Sequence, residues 1–599
     1  MTWSPQRALL RRTPPLLFLA AGLLLAHHPS ILSGFAKIQV FANDSVFNQI
    51  VLEHTWMWIS GGTRHGFWDA PFGYPMKNLM ATCDLFLSFG PLYWFWRSLH
   101  MPPLTAFPLW VLSVSAANFL VCYFFLRRCF LATVLASSFG AFLFAFAAAR
   151  IGHLNTQQLL PHFYLVLAVW GVWRVFDPKV PRRWRLAWCY LAPAALAAQF
   201  YGGFYNGYFL VFYVALAGIW ALALRRGRRR LWQTARSLWL HGLAGGGLSA
   251  AVVAPLAWRY LEISKTAGER PVGLGLDAMP RWQSWFFMGP HHWLYGSMAE
   301  WQLYNHLPIK NEHILGFGFV TSTAVLAGLF LWRRRPGVVL IMLVSATVLA
   351  LFTMYPGEVS LWEQLFKIPG MRAIRLPGRI GLLLLLPAAV GLAALVGNRT
   401  GWRAWVAGAV ALFCCVEQGT TTASYSRLVL EREIHSIAER VEPGARAFIL
   451  LPDDGALLTE YTEHRAMWAA LIANVPCINF TTGAVPLTWP FDAYFQPRPE
   501  GFKNADILET LKKWLAQHKI PASTVQVIEL GKGGSLKNRR DRPFLIPRSR
   551  CPGPPDMCPE HHQGKRPAGA PPLAGPPGPN TGPQPVPLPP SGHPPPPGP

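Results

Sequence analysis

Acidic residues are scarce in this 599-residue chain, with 29 Asp and Glu against 54 Lys and Arg, and only 14% of all residues are charged. With 52% of residues hydrophobic and a mean hydropathy of +0.25, so little charge excludes a soluble multidomain protein of this length. Cysteine is sparse as well. The nine thiols (Cys83, Cys122, Cys129, Cys189, Cys414, Cys415, Cys477, Cys551 and Cys558) show no metal-ligand spacing, and the one adjacent pair sits inside an apolar run. That pattern argues against a disulfide framework or a zinc site. The two halves of the chain show no self-similarity, which argues against a transporter built from inverted repeats.

Long apolar runs are what the chain has instead. Eleven read as membrane-spanning helices: 14–36, 104–126, 130–149, 159–175, 186–201, 204–224, 238–261, 314–332, 338–355, 380–396 and 405–421. The first follows Arg7, Arg11 and Arg12 and lacks a small-residue cleavage site, so it reads as an uncleaved helix with a cytoplasmic amino terminus. Alternate connections then carry the basic clusters. These are Arg127 and Arg128; Arg174 to Arg185; Arg225 to Arg236; Arg333 to Arg335; and Arg399 with Arg403. Basic residues gather on one side of a membrane during insertion, so the net charge of +25 is topological and calls for no nucleic acid. The short aromatic run 85–96 cannot be a crossing, because it would place every later cluster on the wrong side. It reads as an interfacial or re-entrant helix, and 46–58 as an amphipathic helix on the membrane surface, with Val46, Ile50, Val51, His54 and Trp58 on one face.

The expected organisation is a helical membrane domain over 1–423, with an external acidic loop at 37–103. A small α/β domain on the extracytoplasmic side follows over 424–533, where helical and strand patterns alternate. From 534 to 599 the chain is rich in Pro and Gly without a three-residue period, the composition of a disordered tail.

Chemistry-bearing residues concentrate at the expected external boundary. The loop after the first span holds Asp44, Glu53, Asp69 and Asp84 among Trp, Phe, Tyr and Pro. A carboxylate partly shielded from water gains basicity, as a general base requires. Each of these acids reads equally as a loop or cap residue, and Asp44, just before VFNQI, suits a helix amino terminus. Arg372, Arg375 and Arg379 of RAIRLPGR sit on the external side, against the prevailing bias, where guanidinium groups suit either a phosphate or the lipid headgroups. His153, Asn155, Glu312 and His313 lie at the same boundary, as cavity-lining groups or as caps. The aromatic turn at Gly202 and Gly203 reads as packing, and Asn479 to Pro486 as a tight turn.

The segments NDSVFN, FWDAPFGYPMKN, GHLN, NEHILGFG, MRAIRLPGR and NFTTGAVP, with this order of spans and loops over roughly residues 10–533, resemble the GT-C superfamily of polyprenyl-phosphate-dependent glycosyltransferases, in a bacterial branch. The resemblance implies transfer of a sugar from a polyprenyl-phosphate donor to a glycan, lipid or protein acceptor at the outer face of the bacterial inner membrane. It implies Asp44 as catalytic base and Asp69 as the residue orienting the acceptor. Glu53, Asp84, His153, Glu312, Arg372, Arg375 and Arg379 become substrate-binding candidates. The loop lacks DxD, ExD or an adjacent acidic pair, so no metal or other cofactor is expected. The competing reading is a non-catalytic polytopic envelope protein or a lipid or polysaccharide transporter.

Overall fold

A computed structural model describes residues 5–267, 272–365, 374–397, 399–452, 460–483, 485–486, 488–491 and 504–530. Every described residue lies within one compact unit, residues 1–544. Arg372 and the expected tail 534–599 lie outside the described residues.

Helices dominate because apolar side chains that shun water carry amides that must be bonded within the segment itself when lipid surrounds them. Among the described residues, seven helical segments are long and apolar enough to cross a membrane: Thr13–Leu32, Pro103–Cys129, Val134–Gly152, Gln157–Phe176, Phe204–Ala223, Arg225–Thr266 and Pro377–Val396. The chain is therefore a multi-pass membrane protein. Helices also stand at the other four expected positions. Phe319–Leu331, Pro336–Phe352 and Trp402–Val416 are apolar but shorter, and Arg182–Gly202 opens with the polar sequence RRWR.

The shortening has visible causes. Glu417 accepts hydrogen bonds from the Val320 and Thr321 amides at 3.1 and 2.7 Å, from the Thr321 hydroxyl at 2.6 Å and from the Tyr295 hydroxyl at 2.5 Å. It thus satisfies the free amides of a helix amino terminus, and the span expected from 314 begins at Phe319. The span expected to reach 355 ends at Phe352, where Met354–Tyr355 turns back to pair with Val359–Ser360.

Two elements flank the carboxylate-rich loop. Helix Asp44–Ile59 is not an amphipathic surface helix. Ser45 through Thr55 are all buried except Phe47, because helix Glu460–Ala473 packs on it from one direction and helices Gly90–Ser98 and Pro103–Cys129 from others. Over the expected short aromatic run stands helix Gly90–Ser98, with Phe95 exposed on it and Leu99 exposed just after its end.

Residues 424–530 follow the expected alternation. Helices Arg427–Ala438, Glu460–Ala473 and Asn504–Gln517 accompany a parallel pair of strands, Ala447–Leu451 and Val525–Glu529. The first strand is wholly buried, as a strand covered on both faces must be. This portion is stitched to the early loop. The Cys477 amide bonds Pro71 O at 3.1 Å, the Tyr74 amide bonds Cys477 O at 3.0 Å, the Gly73 amide bonds Asn479 O at 3.2 Å, and the Phe72 and Phe480 rings stack. Gly73 sits at φ +65°, a conformation glycine adopts without strain.

Candidate active site

Three distant parts of the chain meet where helix Asp44–Ile59 begins. Strand Lys37–Gln39 pairs antiparallel with Ser424–Ser426, joining the segment after the first span to the segment after the last. The Tyr425 hydroxyl then accepts from Gln49 Nε2 at 2.6 Å and lies 3.1 Å from Ser45 Oγ. On another side Asn48 donates to Gln157 and Gln158, which brings the GHLN loop alongside the first turns of the same helix.

Asp44 is the first helical residue here, and Asn43 stands at the cap position ahead of it. Its carboxylate makes no hydrogen bond with any described residue. It is exposed by area yet crowded by protein on its other sides, the situation of a group lining a recess. Crowding raises its pKa above the ordinary value. The charges of Arg379 and then Arg375 oppose that rise, and Glu312 reinforces it. The structure thus brings Asp44 into electrostatic reach of Arg375, Arg379 and Glu312.

The arginine loop is held by Tyr205, in the first turn of helix Phe204–Ala223. Its hydroxyl accepts the Arg375 amide at 3.1 Å, and the Arg379 guanidinium lies 5.4 Å from its ring centroid. Arg379 is buried and forks onto Glu312, with Nε to Oε2 at 2.9 Å and Nη2 to Oε1 at 2.6 Å. Burial pushes the Glu312 carboxyl up, but the charge and hydrogen bonds of Arg379 outweigh it and hold the group at about 2. Arg375 forms no ion pair among the described residues and is half-buried. Gly378 lets the loop approach closely, since a Cβ there would stand 2.6 Å from Ala278 O.

His153 joins the same group. Gly152 packs against Ile314, two residues after Glu312, and both ring nitrogens of the buried His153 lack a partner among the described residues. Burial lowers its pKa to about 4, with Glu312 opposing and Arg379 and Arg150 adding to the effect, so the imidazole is neutral at pH 7.

The other sequence candidates are engaged elsewhere. Glu53 pairs with Arg97 at 2.9 Å and accepts the Tyr93 hydroxyl at 2.7 Å, fastening helix Asp44–Ile59 to Gly90–Ser98. Asp69 accepts the Asn78 amide at 2.7 Å and closes the 69–78 loop, with Lys77 at 3.5 Å. Asp84 accepts the Phe204 amide at 2.8 Å, at the start of the helix that carries Tyr205. These three acids shape the loop rather than face the recess with Asp44. His313 bonds Ser284 and the Asp277 carbonyl, and Asn479 holds both backbone groups of Leu450. Among the described residues no group of three or more His, Cys, Asp or Glu side chains could hold a metal.

Sequence reading missed Tyr205, Tyr425 and Gly378. Only the aromatic turn around Gly202 and Gly203 hinted at the first, and it reads as packing.

No family model matches the sequence, and no curated protein is similar to it. Among solved structures, the Archaeoglobus fulgidus oligosaccharyltransferase aligns over 80% of this chain and 66% of its own length, with 12% identity and a TM-score of 0.48. The mycobacterial arabinofuranosyltransferase AftD aligns over 80% of this chain and 32% of its own, with 13% identity and a TM-score of 0.47. ArnT from Cupriavidus metallidurans covers 77% of this chain, with 84% of its own length aligned, 13% identity and a TM-score of 0.39. At these scores the likeness decides nothing about activity. The chain spans under two thirds of the oligosaccharyltransferase and about one third of AftD.

Proposed function

We propose that the protein is a membrane glycosyltransferase that transfers a sugar from a polyprenyl-phosphate donor to a cell-envelope acceptor at the outer face of the bacterial inner membrane. The observation that supports this reading is that the Asp44 carboxylate, which makes no hydrogen bond with any described residue, lies within electrostatic reach of Arg379 and Arg375. A base and an anion-binding pair are what such a transfer needs within one sugar's width of each other.

The step is a single displacement. The Asp44 carboxylate takes the proton of the acceptor hydroxyl as its oxygen attacks the anomeric carbon. The bond from that carbon to the phosphate oxygen breaks, and the electron pair leaves with the polyprenyl phosphate. Attack from the face opposite the departing oxygen inverts the anomeric configuration. Arg375, which forms no ion pair among the described residues, and Arg379, held rigid by Glu312 and Tyr205, stabilise charge growing on the leaving phosphate. A raised Asp44 pKa makes the carboxylate a better base at working pH. His153, neutral and without a hydrogen-bond partner among the described residues, bonds a sugar hydroxyl in this reading. This reading takes eleven crossings, a cytoplasmic amino terminus and an extracytoplasmic domain over residues 424–533, with the shorter helices accommodated by tilt or local bilayer thinning.

The test is complementation of a deletion strain with Asp44→Asn, with membrane insertion confirmed. Loss of a general base lowers turnover roughly 10²- to 10⁴-fold, so the variant fails to restore the surface glycan or glycolipid missing from the deletion strain. Restoration to the wild-type profile overturns the assignment.

A further inference from the structure

A second concave feature lies far from the recess, at the other end of helix Phe204–Ala223. Tyr205 and Leu222 are 17 residues apart on that helix, about 26 Å at 1.5 Å per residue, close to the thickness of a bilayer's hydrocarbon core. Around Leu222 a cavity of about 460 Å³ opens between four helices. Val175, Leu222, Leu231, Trp232, Leu238 and Trp239 make its walls, Gly218 and Gly242 give it depth, and Arg228 stands among its lining residues. Its polar margin is fixed from within, since Arg185 donates to Val175 O at 2.8 Å and to Thr234 Oγ1 at 3.1 Å, tying three of the four helices together.

The charge around this cavity is one-sided. Between residues 174 and 236 the chain has eleven Lys and Arg against the single acid Asp177. Arg225, Arg226, Arg228, Arg229 and Arg230 are all exposed and make no side-chain hydrogen bond or ion pair with any described residue. Trp232 and Trp239 are 62% and 55% exposed, as residues anchored at a membrane interface are. Helix Arg225–Ala267 has 43 residues, roughly 65 Å, so it runs well past a bilayer core of about 30 Å.

We infer that this cavity is a binding site for one anionic phospholipid of the leaflet opposite the transfer site, with an acyl chain in the apolar slot and the phosphate on Arg228 and its neighbours. Charge complementarity selects the occupant: the walls suit hydrocarbon, and five exposed guanidinium groups set against the single carboxylate of Asp177, beside the lining residue Phe176, favour an anion. A zwitterionic lipid would fill the slot but bring its own cation against five arginines. Naming the leaflet rests on the proposed transfer site, but the cavity's lining shares no residue with the surroundings of Asp44, so either reading can fail alone.

The test uses the full chain in detergent, with phosphatidylglycerol and phosphatidylcholine of matched acyl chains titrated and bound lipid counted by native mass spectrometry. Phosphatidylglycerol should bind at least about tenfold tighter than phosphatidylcholine, and Arg228→Gln should weaken it roughly fivefold. Gly218→Leu with Gly242→Leu should displace the lipid, because a Cβ at either position meets nothing within 4 Å and the longer side chains extend into the slot. A photoreactive phosphatidylglycerol should crosslink to helix Arg225–Ala267 in the wild type, which keeps the inference testable if a variant does not fold. Equal binding of the two lipids, unchanged binding by the filled variant, crosslinks elsewhere, or binding of polyprenyl phosphate in preference to phosphatidylglycerol each overturns it.

Discussion

Replacing Glu312 by Gln removes the charge that Arg379 forks onto while leaving the volume almost unchanged. Arg379 is 7% exposed, so water cannot replace the lost carboxylate. Breaking one partner out of a buried ion pair costs about 3–5 kcal/mol, mainly the desolvation of the charge left behind. An independent figure comes from Glu312 itself, whose carboxyl is held at about 2 against an ordinary 4.5. At about 1.4 kcal/mol per unit this is about 3 kcal/mol of differential stabilisation, in agreement. Equilibrium unfolding of the detergent-solubilised protein, followed by tryptophan fluorescence, measures the change. Arg379→Gln should cost a comparable amount, and the double variant far less than the sum, with a coupling of about 2 kcal/mol or more. The same substitution removes a negative charge that raises the Asp44 pKa, so the acid limb of the activity profile should move to lower pH in Glu312→Gln. A cost below about 1 kcal/mol, or additive single effects, would refute the claim that the pair is a desolvated clamp.

Two further expectations follow from the geometry. Asp44 must be ionised to act as a base, and its folded-state pKa is raised, so kcat/KM should fall as pH drops through a value above the ordinary aspartate pKa of 3.8. Stability moves the opposite way for this group, because the fold favours the protonated form and that contribution is lost as pH rises through the same value. Glu312 behaves inversely: its stabilisation is complete above about 4.5 and fades as pH falls toward 2. Acid unfolding midpoints of wild type and Glu312→Gln separate the two groups. Gly378→Ala forces a Cβ to within 2.6 Å of Ala278 O, which should cost about 1–3 kcal/mol and displace Arg375 and Arg379. Donor KM should rise more than expression falls, and an unchanged KM would count against the arginine loop as the phosphate cradle.

The sequence by itself determined the solvent. Composition, the length of the apolar runs and the one-sided basic clusters call for a multi-pass helical protein, because burying backbone in lipid leaves few alternatives. It also marked the α/β alternation after residue 424, since periods of 2 and 3.6 are written locally. The candidate site was partly legible: Asp44, Glu312, Arg375 and Arg379 stand out as charges at an apolar boundary. Tertiary structure alone decided which of them meet. Glu53, Asp69 and Asp84 look like Asp44 in sequence, but Arg97, the Asn78 amide and the Phe204 amide occupy them, and those partners lie 44, 9 and 120 residues away. The surface helix expected at 46–58 is buried because helix Glu460–Ala473, some 400 residues later, covers it, and no local periodicity encodes a partner so distant. Tyr205 escaped notice for the same reason: an aromatic residue in an aromatic turn gains its role only when the arginine loop folds onto it.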